Sequence, residues 1–499
     1  MEHMLMGLQY LFSDPFNIVL FLAALFGGMF FGAVPGISVT TLGAILLPFT
    51  VYLTPAQALM VYGVMYCSGT YGGAIMAILF NIPGAAENAP TAFDGYPLTK
   101  QGKAGLAIGA AVTCSAMGGL MSCIGMMLGT DVIARWAIVS FGPPEMFAVI
   151  FCGCALASTM GASSTLKGWI SLAFGLLLAT VGADPVGGIF RYTYGSVGLT
   201  GGISFIPLLL GFFSISEVFA NASIGVSKEN IKAYSNVGVE FPSLRTFWQQ
   251  RVNILRSAGC GFCCGMLPGL GATLAAFMSY GFARSTSRNP ERFGKGELAG
   301  VIASETGNNA ATGGAMIPML ALGLPGGSTT ALMLSVFLLH GLEPGPLIMT
   351  QQTQMVWAVF MAMFLANCSI LGLGYVASKT VTSLLRIPTS FLMPFIFVLS
   401  CIGTYALRNS VFDVCIMLVA GLFGFLVKRH GYSAAGIVLG SILGSLGEAA
   451  FAKTMQMSDY DWTIFLTRPF CAFFIGAGLL SLGIIAYRSL KTISLARHH

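Results

Sequence analysis

The residues best suited to chemistry form one short run, Ser304-Glu305-Thr306-Gly307-Asn308-Asn309, inside an otherwise apolar stretch. A carboxyl within a membrane segment is costly and marks an ion or proton pathway by default. Glu305 can take a proton, or with the oxygens of Asn308 and Asn309 it can ligate a small cation. The bland reading of the same run is an amide cluster that satisfies unwound backbone. A second pattern lies in two Pro-Gly interruptions, Asn81-Ile82-Pro83-Gly84-Ala85-Ala86-Glu87-Asn88 and Gly323-Leu324-Pro325-Gly326-Gly327-Ser328-Thr329-Thr330. Non-helical backbone at membrane depth is tolerated only where it is buried in protein or lines a cavity. A half-helix starting after such a break presents N–H groups without intrahelical acceptors and carries partial positive charge. Two such ends facing one cavity make an anion site without a large basic side chain. Thr91, Ser328, Thr329 and Thr330 can add hydroxyl donors to it. Read alone, each Pro-Gly is a packing kink; a symmetric pair favours a site.

The elements that must position these residues follow from composition. Of 499 residues, 56% are hydrophobic and only 8% charged, against about 25% charged in a typical soluble domain. At about 20 residues per spanning helix, that material makes roughly a dozen spans. The sequence therefore predicts an all-α polytopic membrane protein of about 11–14 transmembrane or half-spanning helices. Apolar stretches recur at roughly 16–34, 36–50, 57–82, 104–130, 136–160, 166–184 and 203–222, then 253–283, 299–343, 353–378, 391–406, 411–427, 431–452 and 463–487. The hydrophilic segment 223–252 reads as a cytoplasmic connecting loop between a first transmembrane repeat, 1–222, and a second, 253–499, with additional C-terminal helices. The N-terminus lacks the basic region and cleavage site of a signal peptide, so its first apolar stretch reads as part of the mature protein.

The halves share ordered blocks. Gly32-Ala33-Val34-Pro35-Gly36-Ile37-Ser38 corresponds to Gly265-Met266-Leu267-Pro268-Gly269-Leu270-Gly271, 233 positions later. Gly72-Gly73-Ala74-Ile75 and Asn81-Ile82-Pro83-Gly84 correspond to Gly313-Gly314-Ala315-Met316 and Gly323-Leu324-Pro325-Gly326, at offsets of 241 and 242. Asp94-Gly95-Tyr96-Pro97 and His340-Gly341-Leu342-Glu343-Pro344 close the two units. Such self-similarity implies duplication. Basic residues follow the opposite sense in the two copies. Segment 50–56 has none, whereas 284–295 holds Arg284, Arg288, Arg292 and Lys295; Lys100 and Lys103 have no counterpart across 344–353. Because cytoplasmic loops hold the excess Lys and Arg, equivalent loops fall on opposite sides, the pattern of two inverted-topology repeats with Pro-Gly-broken helices. Threaded this way, the N-terminus is outside and the central loop and C-terminus are inside.

Other chemistries fit poorly. The 24 basic residues form no dense face, which argues against nucleic acid as a partner. Twelve cysteines lie mostly in apolar stretches, and Cys260, Cys263 and Cys264 lack a partner pair or nearby His. No His-Glu metal motif, nucleophile elbow or phosphate loop appears, so the sequence predicts neither an enzyme nor an ATP-driven machine, and no cofactor. The alternative is a membrane-embedded enzyme or lipid-handling protein using Glu305 and His340. Glu87, Asp94 and Glu448 are weaker candidates for coupling, and Asp131 and Glu145 read as interfacial.

The blocks PGIS and PGLGA, NIPG followed by TAFDGYPLTKQGKAG, ETGNNAATGGAMIPMLALGLPGGSTTALML and HGLEPGP resemble the large membrane subunit of the tripartite tricarboxylate transporters. The resemblance covers about residues 18–350 by motif and the rest by hydropathy. It implies a bacterial inner-membrane, multi-pass secondary transporter working with a periplasmic solute-binding protein and a small membrane subunit of about four helices. It further implies a small carboxylate substrate, tricarboxylate or dicarboxylate, imported by symport with sodium or protons. Glu87 and Asn88 stand where that family generally has small or hydroxyl residues, and Ser304 where it often has Pro. On this reading Asn81, Pro83, Gly84, Asn88, Thr91, Pro325, Gly326, Ser328, Thr329 and Thr330 contact substrate. Gly36, Ser38, Gly269 and Gly271 line the opposing breaks, and Glu305, Asn308 and Asn309 serve coupling.

Overall fold

A computed structural model of the chain describes residues 2–34, 38–81, 83–140, 142–157, 164–184, 188–223, 239–267, 271–345, 347–384 and 389–496. The first half holds α1 (Glu2–Ser13), α2 (Pro15–Ala33), α3 (Val39–Leu46), α4 (Pro55–Phe80), α5 (Ala89–Lys100), α6 (Ala104–Ser140), α7 (Pro143–Ala157) and α8 (Thr165–Ala179). A two-residue hairpin, β1 (Gly182–Ala183) with β2 (Phe190–Arg191), precedes α9 (Val197–Thr200), α10 (Phe205–Leu209) and α11 (Ser216–Ser223). The second half holds α12 (Leu244–Gln249), α13 (Arg251–Gly265), α14 (Gly271–Ser285), α15 (Leu298–Leu322), α16 (Ser328–Leu339), α17 (Ile348–Gln351), α18 (Thr353–Leu384), α19 (Thr389–Arg408), α20 (Val411–Arg429), α21 (Ala434–Met457), α22 (Ile464–Thr467) and α23 (Pro469–Ala496).

Local chemistry explains where these helices begin and end. Asp14 caps α2, its carboxylate accepting the Phe16 N–H, with Pro15 at the first helical position. Thr54 and Gln57 close a reciprocal capping box at the start of α4. Serines 164, 243, 410 and 433 do the same work for α8, α12, α20 and α21. The two Pro-Gly interruptions end their helices alike: α4 stops at Asn81 with φ 58° and α15 at Gly323 with φ 68°. Left-handed residues of this kind terminate helices by turning the chain out of the helical path.

Six helices among the described residues are long and apolar enough to cross a membrane, and seven shorter apolar helices accompany them. The expectation of an all-α polytopic membrane protein is therefore met. The stretch 299–343 is two helices, α15 and α16, parted at the expected Gly323–Gly327 break. Two details differ from the sequence reading. Residues 104–140 form one helix, because no Gly-Pro or left-handed residue interrupts 130–136. Residues 2–13, given no element from sequence, form α1. All twelve cysteines are free thiols.

The chain packs as two compact units, residues 1–134 with 220–399 and residues 135–219 with 400–499. Each takes material from both sequence halves. In the first unit α2 lies along α4 and α13 along α15, and the two contacts are built identically. A Cβ on Gly32 would stand 2.3 Å from the Gly69 carbonyl oxygen; on Gly265 it would stand 2.4 Å from that of Ala311. Looking back from the partner helix, Gly72 meets the Met29 carbonyl at 2.3 Å and Gly314 that of Phe262 at 2.2 Å. The α2 and α13 positions differ by 233, and the α4 and α15 positions by 242. The first is the offset of the Gly32 block and the second that of the Pro-Gly block, one residue from the 241 at which sequence matches Gly72 to Gly313, and both pairs show backbone-on-backbone packing of the kind small residues allow in membranes. Gly32→Ala and Gly265→Ala should each destabilise the purified protein by about 1–3 kcal/mol through overpacking. Thermal unfolding in detergent measures this, and similar losses are expected because the contacts are equivalent.

Candidate functional site

The first unit gathers most of the expected residues around α15. This helix has 25 residues, and every one from Gly300 to Ala321 is buried. Because other protein encloses it, it can carry Ser304, Glu305, Thr306, Asn308, Asn309 and Thr312, each fully shielded from solvent, without exposing polar groups to lipid. Spacing of three and four residues puts Glu305, Asn308, Asn309 and Thr312 on one side of the helix.

Among the described residues, the Glu305 carboxyl is held by hydroxyls alone. The Thr91 hydroxyl, from α5, donates to its Oε1 at 2.5 Å, and Ser115, from α6, donates to Oε2 at 2.8 Å. Thr91 Oγ1 also lies 3.0 Å from the Ser304 hydroxyl, which reaches the Gly300 carbonyl. Another acid, Glu87, acts on Glu305 electrostatically. Asn309 donates to the Glu305 carbonyl at 3.1 Å, and its own Oδ1 has no partner among the described residues. Asn308 has neither amide atom paired among the described residues. A buried polar group left this way costs about 1–3 kcal/mol, and flipping the amide does not relieve it, since both ends are bare.

The substrate-site candidates divide. Gly36 and Gly269 lie outside the described residues. Ser38 caps α3 by accepting the Thr41 N–H at 3.2 Å. Thr40, two residues on, meets Ser328 with hydroxyl oxygens 3.2 Å apart, so the first turns of α3 and α16 come together. Thr329 is half-buried beside it. Thr330 is fully buried and occupied locally, accepting the Gly327 N–H at 2.9 Å. Gly271, with φ 40°, lies against the Gly326 carbonyl, while Pro325 and Gly326 are buried. Asn81 is exposed at its turn, and Pro83 and Gly84 are half-buried, with Gly84 against Gly32. Asn88 points back to α4, its amide donating to the Thr70 carbonyl at 3.0 Å and its side chain resting on Gly73. The 86–88 turn and α5 in turn pack on α14. Thr91, expected to face substrate, spends its donor on Glu305.

Two contributors escaped the sequence reading, and a third was only a minor candidate in it. Ser115 sits in an ordinary Cys-Ser-Ala run with no signal of its role. Asn367 of α18 is fully buried and donates to the Met363 carbonyl, beside the Cys67 and Cys123 sulfurs, with Oδ1 unpartnered. Asp94, only a weak candidate by sequence, is the anchor of α15. Its Oδ1 accepts the N–H groups of Gly294, Gly296 and Glu297, each at 2.8 Å, and its Oδ2 accepts the Tyr280 hydroxyl at 2.9 Å. Gly294 and Gly296 take φ 83° and 102°, which turns their N–H groups inward at little steric cost. His340 ends α16, and its Nε2 has no partner among the described residues.

A buried acid with hydroxyl partners, on a polar helix wrapped by apolar spans and flanked by paired helix breaks, defines the class of protein as a multi-pass membrane transport protein. Comparison with known proteins then places it. Residues 18–439 match the Tripartite tricarboxylate transporter TctA family, and the chain belongs to that family. It is 34% identical over 479 residues to an "Uncharacterized 52.8 kDa protein in TAR-I ttuC' 3'region" of Agrobacterium vitis, covering 96% of this chain and 95% of that one. It is 35% identical over 232 residues to an "Uncharacterized protein in TAR-II ttuC' 3'region" of the same organism, covering 46% of this chain and 96% of that one. No solved structure matches. The family is one of transporters and not of enzymes, so the reading of Glu305 and His340 as an enzyme's residues falls.

Proposed function

We propose that this chain is the large transmembrane subunit of a binding-protein-dependent importer of small carboxylates, driven by symport of sodium or protons across a bacterial inner membrane. The observation that carries this is Glu305, fully buried and, among the described residues, bonded only to hydroxyls, with Glu87 acting on it electrostatically and an Asn308 amide that has no partner there. A buried carboxylate without a cation is prohibitively costly. It becomes acceptable when a proton neutralises it, or when a sodium ion sits among its oxygens and those of Asn308 and Asn309. Loading and releasing that cation is the coupling step. The substrate's carboxylates fit the opposing breaks, where the starts of α3 and α16 meet at Thr40 and Ser328 and the positive ends of the two helices favour anions. The family description, tripartite, supports two further components: a periplasmic binding protein that delivers substrate and a small membrane subunit.

Uptake of radiolabelled tricarboxylate and dicarboxylate by the complete complex in proteoliposomes, with sodium and pH gradients imposed separately, tests this reading. One gradient should drive accumulation; transport down the substrate gradient alone, indifferent to both ions, would refute symport. Replacing Ser328 and Thr329 together by bulky residues should reduce uptake at least tenfold, about 1.4 kcal/mol, with unchanged membrane content on immunoblots. Uptake kinetics equal to wild type would remove the breaks from the substrate path.

A further inference from the structure

We propose that the groove between α8, α20 and α21 of the second unit binds one anionic phospholipid, an acyl chain lying in the groove and the phosphate at Lys167. The site is separate from the carboxylate path proposed above and stands or falls on its own.

The groove follows from how the three helices meet. A Cβ on Gly175 of α8 would stand 2.0 Å from the Ile437 carbonyl oxygen, and one on Gly444 2.7 Å from the Ala179 Cβ. Glycine thus brings α8 and α21 together at backbone distance, both beginning at the same end. Against this close pair α20 is held off by rings, Phe174 of α8 and Phe423 having centroids 5.2 Å apart. The space left is about 310 Å³, walled by Ile170, Leu426 and Ile437 and closed at one end by His430 and Tyr432. From Phe423 to His430, α20 makes about two turns, or about 10 Å. Ile170 and Leu426 are 47% and 43% exposed, so the groove opens to its surroundings.

Its walls suit hydrocarbon. The Ser171 hydroxyl, between the helices, is committed on both sides: it donates to the Lys167 carbonyl at 2.7 Å and accepts the Ser433 N–H at 2.9 Å. Polar capacity is gathered instead at the closed end. There Lys167 Nζ donates to the His430 carbonyl at 2.6 Å and stands 5.3 Å from the centre of the Tyr432 ring. A lysine that only snorkels leaves its ammonium in water. This one is half-buried and pinned to the two residues that close the groove.

The charges around that end decide the headgroup. On the helices that form the groove and on segment 210–223 behind α20, the described charged side chains at this end are Lys167, Lys428, Arg429 and Glu217. Glu217 is taken by Lys428 at 3.2 Å, and Lys428 also donates to Ser216 at 2.8 Å. Lys167 and Arg429 are in no ion pair among the described residues. Asp413 and Glu448 lie more than ten residues along α20 and α21 toward their other ends. A phosphate here meets a cation with spare donors and no competing carboxylate, as in basic pockets between membrane helices that hold anionic headgroups. A zwitterionic headgroup would bring its own ammonium beside Lys167, at a disadvantage.

The full chain in nanodiscs of phosphatidylcholine containing some phosphatidylglycerol is released and weighed by native mass spectrometry. The expected result is one retained phosphatidylglycerol per chain, which also raises the melting temperature. Lys167→Gln, and Leu426→Trp to fill the groove, should each lower retention about tenfold. Lys453→Gln, an exposed cation toward the other end of α21, should retain lipid as wild type does. Melting temperatures in phosphatidylcholine alone check that the variants fold, and Ile170→Trp replaces Leu426→Trp if that variant melts early. Equal retention of the two lipids, or retention by Lys167→Gln and the groove-filled variant equal to wild type, overturns the proposal. So does displacement of the lipid by millimolar inorganic phosphate, which would make this a phosphate site that needs no acyl chain.

Discussion

Glu305→Gln is expected to abolish ion-driven accumulation, lowering it by at least about a hundredfold, or about 2.7 kcal/mol, while the protein stays folded in the membrane. Glutamine has the size of glutamate and keeps one oxygen to accept from Thr91 or Ser115. Its amide nitrogen can donate to the other hydroxyl once that rotates. What is lost is the ability to bind a proton or neutralise a cation. Glu305→Asp should retain partial coupling, since it keeps the charge but falls short of one hydroxyl. Thr91→Val and Ser115→Ala each remove one donor, and they should change the ion dependence of uptake rather than eliminate it. Proteoliposome accumulation under each gradient is the measurement. Wild-type accumulation by the glutamine variant would mean that coupling resides elsewhere.

Asp94→Ala should produce the largest loss of stability of any single substitution in the first unit, roughly 3–5 kcal/mol. Four donors converge on this one buried carboxylate, and hydrogen bonds to a charged group are worth about 1.5–3 kcal/mol each before neighbours relax. Removing it leaves three N–H groups unsatisfied at the start of α15, together with the Tyr280 hydroxyl. Glu297, the residue before α15, is held besides by Arg292 at 3.2 Å, a surface pair that compensates little. Asp94→Asn keeps acceptor capacity without the charge and should lose about half as much. Chemical or thermal unfolding of the purified chain in detergent checks both, and an alanine variant as stable as wild type would remove Asp94 from its anchoring role. Because Asp94 fixes the N-terminal end of the helix bearing Glu305, uptake should fall along with stability.

Much of the architecture can be read in the chain before any coordinates. Hydropathy marks the long spans, and Pro-Gly marks the breaks, because proline lacks a donor and glycine tolerates the left-handed turn seen at Gly323. The offset of 233 reappears as carbonyl contacts at Gly32 and Gly265, while the contacts at Gly72 and Gly314 shift the Gly-Gly block from 241 to 242. Hydropathy is less informative for α15, which is long enough to cross a membrane but too polar to stand among the long apolar helices. Its solvent is protein, and a scale built on lipid exposure has no measure of that. The chain reads as two apolar stretches, 104–130 and 136–160, on either side of Asp131 and Arg135, yet nothing there breaks the backbone and α6 continues through.

The site shows the same boundary. Residue type and local order were enough to single out Glu305, Asn308 and Asn309 as polar groups that an apolar chain must have a use for. They were also enough to place the ends of α3 and α16 at breaks suited to anions. Which groups satisfy which is another matter. Thr91 donates to a carboxylate 214 positions away, Ser115 to the same group from 190 away, and Asn88 turns back to Thr70 although it looked like a cavity residue. A hydrogen bond acts over about 3 Å and depends on direction, so it is set by how helices pack and rotate against one another. Helix type and chain breaks arise from each residue's own backbone and its near neighbours, and a linear sequence carries those. Partnership across about two hundred residues exists only once the helices are assembled, and that assembly is what buries Glu305 among its hydroxyl partners.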